Sequence, residues 1–257
     1  MKDKLTILKV GGKVVEDADS LSKLLHDFSK IQGYKVLVHG GGRSATQLAT
    51  QLGIETQMVN GRRVTDADML RVVTMVYGGL VNKNVVALLQ SIGLNAVGLT
   101  GADMDIIRSV KRPFKDVDYG FVGDVKSVNG EILSELIRHG IIPVIAPLTH
   151  DGHGNMLNTN ADTIAAEVAK ALAEHFDVML TYCFEKNGVL RDEHDDNSVI
   201  PVITLENYDK FKAAGVISGG MLPKLENAFS AISAGVGSVV ITSFQDICGC
   251  HATVIRK

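Results

Sequence analysis

The chain has no tryptophan, five prolines, three cysteines and 5% aromatic residues. Cys183, Cys248 and Cys250 cannot pair completely, and so few cysteines exclude a disulfide framework. Cys248-Gly249-Cys250-His251 has the form of half a metal site, but no second ligand pair stands at finger-like spacing. These residues are read as small side chains in a final hairpin, and no metal ligand is assigned. An excess of one charge is also missing: 26 Lys+Arg against 29 Asp+Glu leave a net charge of -3, so no basic field exists to hold a nucleic-acid backbone. No uninterrupted apolar run approaches the roughly 20 residues of a bilayer span. The first residues, Met1-Lys2-Asp3-Lys4-Leu5-Thr6-Ile7-Leu8, enter a strand pattern without a signal-peptide core. The expectation is a cytoplasmic, untargeted protein with neither nucleic-acid nor membrane partners.

Hydrophobic residues make up 46% and charged residues 21%, the balance of an ordinary globular protein. A chain of 257 residues can bury roughly three quarters of its unfolded surface. Short β-branched runs alternate with longer helical stretches, as parallel strands with crossover helices require. Strands are expected at Thr6–Val10, Lys35–His39, Ala96–Thr100, Ile141–Ala146, Val178–Thr181 and Ser238–Thr242. Helices are expected around Leu21–Phe28, Ser44–Leu52, Thr65–Ile92, Ala161–Glu174 and Leu222–Ala234, and Ile106–Asn129 reads as a polar hairpin excursion over the sheet edge. The acidic stretch Asp192–Asp196 reads as a solvated hairpin or loop, with a mobile flap as the alternative. No linker or fixed-period repeat divides the chain. The expected fold is an α/β three-layer sandwich, a single domain of two lobes on one mainly parallel sheet, divided near residue 150.

Two strands end in glycine clusters, Lys9-Val10-Gly11-Gly12 and His39-Gly40-Gly41-Gly42, and the second opens a helix. Free N–H groups at such a turn suit a carboxylate or phosphate; the plainer reading is that glycine permits the turn. Gly40–Ala45 also fits a dinucleotide pattern, but the segment some 20 residues on, Glu55–Arg63, is a cationic loop rather than a strand ending in an acid. Lys9 sits inside an apolar strand, where an ammonium needs a partner or an anion. Lys224 follows the glycine turn Gly219-Gly220 at a helix start, a position the helix dipole disfavours unless a polyanion lies there. Asn158-Thr159-Asn160-Ala161-Asp162 precedes an apolar helix, either as a cap or as polar groups aimed at one spot.

Together these segments resemble the amino-acid kinase family, and most closely its acylglutamate branch. The further matching pieces are Asn60-Gly61-Arg62-Arg63-Val64-Thr65, Val97-Gly98-Leu99-Thr100-Gly101 and Gly120-Phe121-Val122-Gly123-Asp124-Val125, and all run in family order. The resemblance implies phosphorylation of the γ-carboxylate of an N-acyl-L-glutamate, acetyl or succinyl, by ATP with Mg²⁺, a step of arginine biosynthesis. It implies that Lys9 and Lys224 stabilise the transferring phosphoryl group and that Asp162 orients both. Gly41 and Gly42 would cradle the γ-carboxylate, Arg63 would pair with the α-carboxylate, and Asn158 would bind the acylamino group. Gly11, Gly12, Thr181, Val216, Ile217 and Ser218 would lie at the nucleotide. The N-lobe would bind the acyl amino acid and form a homodimer, and the C-lobe would bind the nucleotide.

The chain departs from the family's short polar turn after Leu180, reading Thr181-Tyr182-Cys183-Phe184-Glu185-Lys186-Asn187-Gly188. That longer, more apolar segment would border the adenine. The extra helix of arginine-inhibited members is not found before the first strand, which implies insensitivity to arginine. Other family activities, an NAD(P)-dependent oxidoreductase and a non-catalytic relative are the competing readings.

Overall fold

The structure, a computed structural model, describes residues 2–59, 61–192, 194–217, 221–247 and 251–257. The first half supplies β1 (Lys4–Val10), α1 (Gly12–Glu16), α2 (Ala18–Lys30), β2 (Tyr34–His39), α3 (Gly42–Gln51), β3 (Met58–Val59) and β4 (Arg62–Arg63). It continues with α4 (Ala67–Val73), α5 (Asn82–Ser91), β5 (Ala96–Leu99), β6 (Ile107–Lys111), β7 (Gly123–Val128), α6 (Gly130–Arg138), β8 (Ile142–Ile145) and β9 (Leu148–His150). Then follow β10 (Met156–Asn158), α7 (Ala161–Leu172), β11 (Asp177–Phe184), β12 (Val202–Ile203), α8 (Leu205–Ala213), α9 (Met221–Ser233), β13 (Ser238–Ser243) and β14 (Ala252–Ile255).

Eight strands form one sheet in the order β12-β14-β13-β11-β1-β2-β8-β5, so strands from both halves of the chain share it. Its neighbours are parallel except β13 and β14. A parallel sheet is covered on both faces, which is why its strands read as continuous apolar runs. Alternation along β1 sends Leu5 and Ile7 into a core with α7 and α9, and Leu8 and Val10 into a second core with α2. Lys9 therefore shares the face of Leu5 and Ile7, beneath α7.

Several expectations need correction. The excursion at 106–129 is more than a hairpin: β6 and β7 join β9 and β10 in a sheet of their own. The long helix begins at Ala67, because Asp66 caps it by accepting from the Met69 N–H at 2.7 Å and Thr65 is bridged to Gly120. Between α4 and α5 its backbone is π-helical, over Thr74–Val81. The whole helix, Ala67–Ser91, has 25 residues, and an 18-residue window of it has a mean hydropathy of 1.5, long and apolar enough to cross a membrane. Asp68, Arg71 and Lys83 interrupt it, so no apolar run in the sequence reaches that length. In the fold one side of it is core: Met69, Val72, Val73, Val76, Tyr77 and Val81 pack against Ala45, Ala49, Ala146 and Leu148. Met75, Leu80 and Leu88 are exposed. The described residues of the acidic stretch, Asp192 and 194–196, are exposed between the bridged residues Leu190 and Val199, with Asp196 paired to Lys186 at 2.6 Å.

Candidate active site

The site lies at the carboxyl ends of β1, β2 and β11, where open α/β sheets place their ligands. The two glycine turns meet there backbone to backbone. Gly40 N–H donates to Val10 O at 2.9 Å, and a Cβ on Gly40 would come 3.0 Å from Gly12 N. A Cβ on Gly12 would lie 3.4 Å from the nitrogens of both Gly41 and Gly42. A Cβ on Gly41 would be driven to 2.9 Å from the Tyr77 ring. Glycine is needed here for close approach.

Gly41 caps α3 without a side chain, and the Ser44 N–H is taken by Glu16 Oε1 at 2.7 Å. The N–H groups of Gly42 and Arg43 then have no protein acceptor among the described residues, leaving an opening for an anion. His39 sets this turn from below. Its Nδ1 lies 2.7 Å from Gly40 O and its Nε2 3.1 Å from Asn82 Nδ2, which also donates to Val144 O at 2.9 Å. Asn82 Nδ2 can only donate, so Nε2 accepts and Nδ1, facing the Gly40 carbonyl, carries the proton. Complete burial drives the His39 pKa down to about 4, keeping the ring neutral.

A cleft of about 200 Å³ opens beside this turn, lined among others by Gly41, Gly42, Arg63, Tyr77, Asn158 and Ala161. All four residues assigned to the acyl amino acid thus border one space. Arg63 Nη2 donates to Gly42 O at 2.8 Å and to Thr46 Oγ1 at 2.9 Å, fixing the guanidinium against α3. Asn158 is buried and donates through Nδ2 to Thr65 Oγ1 at 2.9 Å, leaving its Oδ1 as an acceptor. Asn160 is the N-cap of α7, accepting from the N–H groups of Asp162 and Thr163 at 2.8 and 3.1 Å.

Beyond Ala161 the cleft leads toward the charged cluster. Lys9 Nζ is 2.6 Å from Asp162 Oδ1, which gives the buried strand lysine its partner. Lys224, in the first turn of α9, points its ammonium at the Phe184 ring, 3.8 Å from the centroid. Burial lowers the Lys224 pKa; the Asp162 carboxylate raises it and the Lys9 charge lowers it again.

The residues assigned to the nucleotide come from several parts of the fold. Gly11 caps α1, and Gly12 sits against the second glycine turn. The expected turn after Leu180 is displaced, because β11 runs on to Phe184 and pairs throughout with β1 and β13. Thr181, the end of the expected strand, is an interior strand residue, buried between its neighbours. Val216 and Ile217 follow α8 and pack on the main core, and Ser218 lies outside the described residues. So do Gly219, Gly220, Cys248 and Cys250. The sequence reading missed Glu16, Tyr77, Arg62 and Phe184. Arg62 also lines the cleft, and burial and the nearby Arg112 lower its pKa. The doubled arginine of Asn60-Gly61-Arg62-Arg63 was a signal for it.

Comparison with known proteins shows the family. The amino acid kinase family matches residues 4–243. The acetylglutamate kinase of Phocaeicola vulgatus is 71% identical over the full length of both chains. That of Bacteroides thetaiotaomicron is 66% identical, again over 100% of each. Among solved structures, the smu.665 protein of Streptococcus mutans superposes with a TM-score of 0.78 at 30% identity, covering 98% of both chains. The chain belongs to the amino acid kinase family, and the dinucleotide reading of Gly40–Ala45 is set aside.

Proposed function

We propose that the protein transfers the γ-phosphoryl group of ATP to the γ-carboxylate of N-acetyl-L-glutamate, or of another N-acyl-L-glutamate such as N-succinyl, giving an acyl phosphate and ADP. The step belongs to arginine biosynthesis. The observation that carries this reading is the abutment of the two glycine turns, with a carboxylate-sized cleft on one side and the Lys9, Asp162 and Lys224 cluster on the other. The names borne by the relatives at 71% and 66% identity support it.

A glutamate-type carboxylate ionises near pH 4.3, so at neutral pH it is a nucleophile without a general base. Neutral, buried His39 is then a scaffold for the turn rather than a catalyst. The Gly42 and Arg43 N–H groups hold the attacking carboxylate at the α3 N-terminus. Arg63 faces the α-carboxylate with the donors it has left, and Asn158 Oδ1 accepts from the acylamino N–H. Lys9 and Lys224 compensate charge gathering on the phosphoryl oxygens in the transition state, and Asp162 keeps Lys9 aligned. Gly11 and Gly12 meet the phosphates through backbone N–H.

Mg²⁺ would arrive with the triphosphate: among the described residues no three His, Cys, Asp or Glu side chains gather to bind an ion by themselves. It would neutralise phosphate charge there. The N-lobe carries most of the acyl-amino-acid cleft and the homodimer contact, while the C-lobe binds the nucleotide and lends Asn158 to Ala161 to the cleft wall. The exposed apolar side chains Met75, Leu80 and Leu88 favour a second copy of the chain as the occupant of that helix face.

The test is ADP release with MgATP across N-acetyl-L-glutamate, N-succinyl-L-glutamate, glutamate and aspartate, with hydroxylamine trapping the acyl phosphate. Turnover confined to the N-acylated glutamates is expected. Absence of turnover with all four, alongside binding of NAD(H), overturns the reading.

A further inference from the structure

Phe184 stands in the segment that departs from the family pattern, and two cations converge on its ring. Lys224 Nζ lies 3.8 Å and Lys9 Nζ 5.4 Å from the ring centroid. Strand alternation explains the meeting. Leu180, Tyr182 and Phe184 share the α7 face of β11, and Lys9 is the register partner of Tyr182 on β1. The ring is held on several sides. Tyr182 stacks on it with centroids 6.0 Å apart and planes 12° from parallel, and the Tyr182 hydroxyl donates to Asp162 O at 3.3 Å. Phe244 N–H donates to Phe184 O at 3.1 Å, and the next side chain, Glu185, pairs with Lys13.

An aromatic face attracts an ammonium through its quadrupole and leaves the positive charge uncompensated. A carboxylate in the same place would pair with the lysine and compete with the incoming phosphates. Asp162 already occupies Lys9, so the ring supplies Lys224 with an orienting contact that a polyanion can still exploit.

We propose that Phe184 is a positioning residue for phosphoryl transfer, its ring holding the Lys224 ammonium, and with it Lys9, in the orientation from which both meet the triphosphate. This rests on the kinase reading above. It gives the apolar segment after Thr181 a role in the reaction in place of a mark of lost activity.

The test compares Phe184→Leu, which keeps apolar volume, with Phe184→Tyr, which keeps the ring face. Phe184→Leu should lower kcat by about five- to tenfold, with KM for the acyl amino acid within about twofold of the parent. Phe184→Tyr should retain the parent kcat. In a Lys224→Ala background, Phe184→Leu should have little further effect, because the contact it removes is already absent. An unchanged kcat in Phe184→Leu, or an equal fall in both backgrounds, makes the ring a space-filler and overturns the proposal. A readout independent of turnover is the ring-current shift of the Lys224 ε-methylene protons, present in the parent and lost in Phe184→Leu. Its absence in the parent removes the contact itself. A parent with no turnover on any N-acylated glutamate fails the kinase reading instead, and the role in phosphoryl transfer falls with it while the ring-current shift still reports the contact.

Discussion

Lys9 Nζ and Asp162 Oδ1 lie 2.6 Å apart, an ion pair that ties the carboxyl end of β1 to the first turn of α7. Asp162 is also the charge that raises the Lys224 pKa against the lowering by burial and by Lys9. Asp162→Asn should therefore lower that pKa further. If protonated Lys224 is required, the alkaline limb of kcat/KM should move to lower pH in the variant. A limb that stays in place, or moves up, detaches Asp162 from Lys224.

Lys224→Ala should lower kcat by roughly two to three orders of magnitude with a modest change in either KM, since its charge is needed most when the phosphoryl group is in flight. Steady-state kinetics with both substrates varied decides it. Equal kcat in variant and parent would remove Lys224 from the mechanism.

Arg63 has a fixed geometry, with one nitrogen shared between Gly42 O and Thr46 Oγ1. Lysine cannot reproduce that fork. Arg63→Lys should raise KM for the acyl amino acid by about tenfold and leave KM for ATP near the parent value. A rise confined to ATP would reverse the placement of the two ligands.

His39 gives the fold an acid-sensitive point. Its pKa is about 4 in the buried site, against about 6.5 in an unfolded chain. Between those values the unfolded state binds the proton and the folded state does not, so stability falls as pH drops through this window, by at most about 3 kcal/mol. Denaturant midpoints should decline from pH 7 to pH 4, and the His39 ring resonances should stay those of a neutral imidazole at pH 5. Titration of His39 near pH 6.5 would contradict its burial.

Leu80 is more than half exposed on the helix face proposed to meet a second copy. Leu80→Glu should shift the mass measured by light scattering from two chains to one while leaving the melting temperature of the fold nearly unchanged. A parent that is already monomeric would remove the homodimer.

The central strands were readable because parallel strands buried on both faces are written as unbroken β-branched runs, as in Thr6–Val10 and Lys35–His39. Short strands of two to four residues, such as β12 and β14, carry too little pattern to show, and α8 passed unnoticed because only Tyr208 on it is buried. Arg63 and Asn158, singled out through the motifs around them, border one cleft. Tyr77 on the cleft wall, Glu16 against the α3 N-terminus and Phe184 under Lys224 come from other elements, and nothing in their local sequence says where those elements end up. The extension of β11 through Tyr182-Cys183-Phe184 was misread as a loop, although aromatic residues and a buried cysteine suit a strand.

The π-helical stretch Thr74–Val81 spans most of the distance between two contacts with one loop: Tyr77, within it, packs on Gly41, and Asn82 bonds His39 just after it. An α-helix turns about 100° per residue, so removing a single residue between those anchors would swing everything from Asn82 onward by that angle. Hydropathy and composition would barely register the loss, yet Asn82 would no longer face the imidazole and Val85 and Leu89 would leave their core. Loss of one codon there should be far harder to tolerate than most substitutions in the same eight positions.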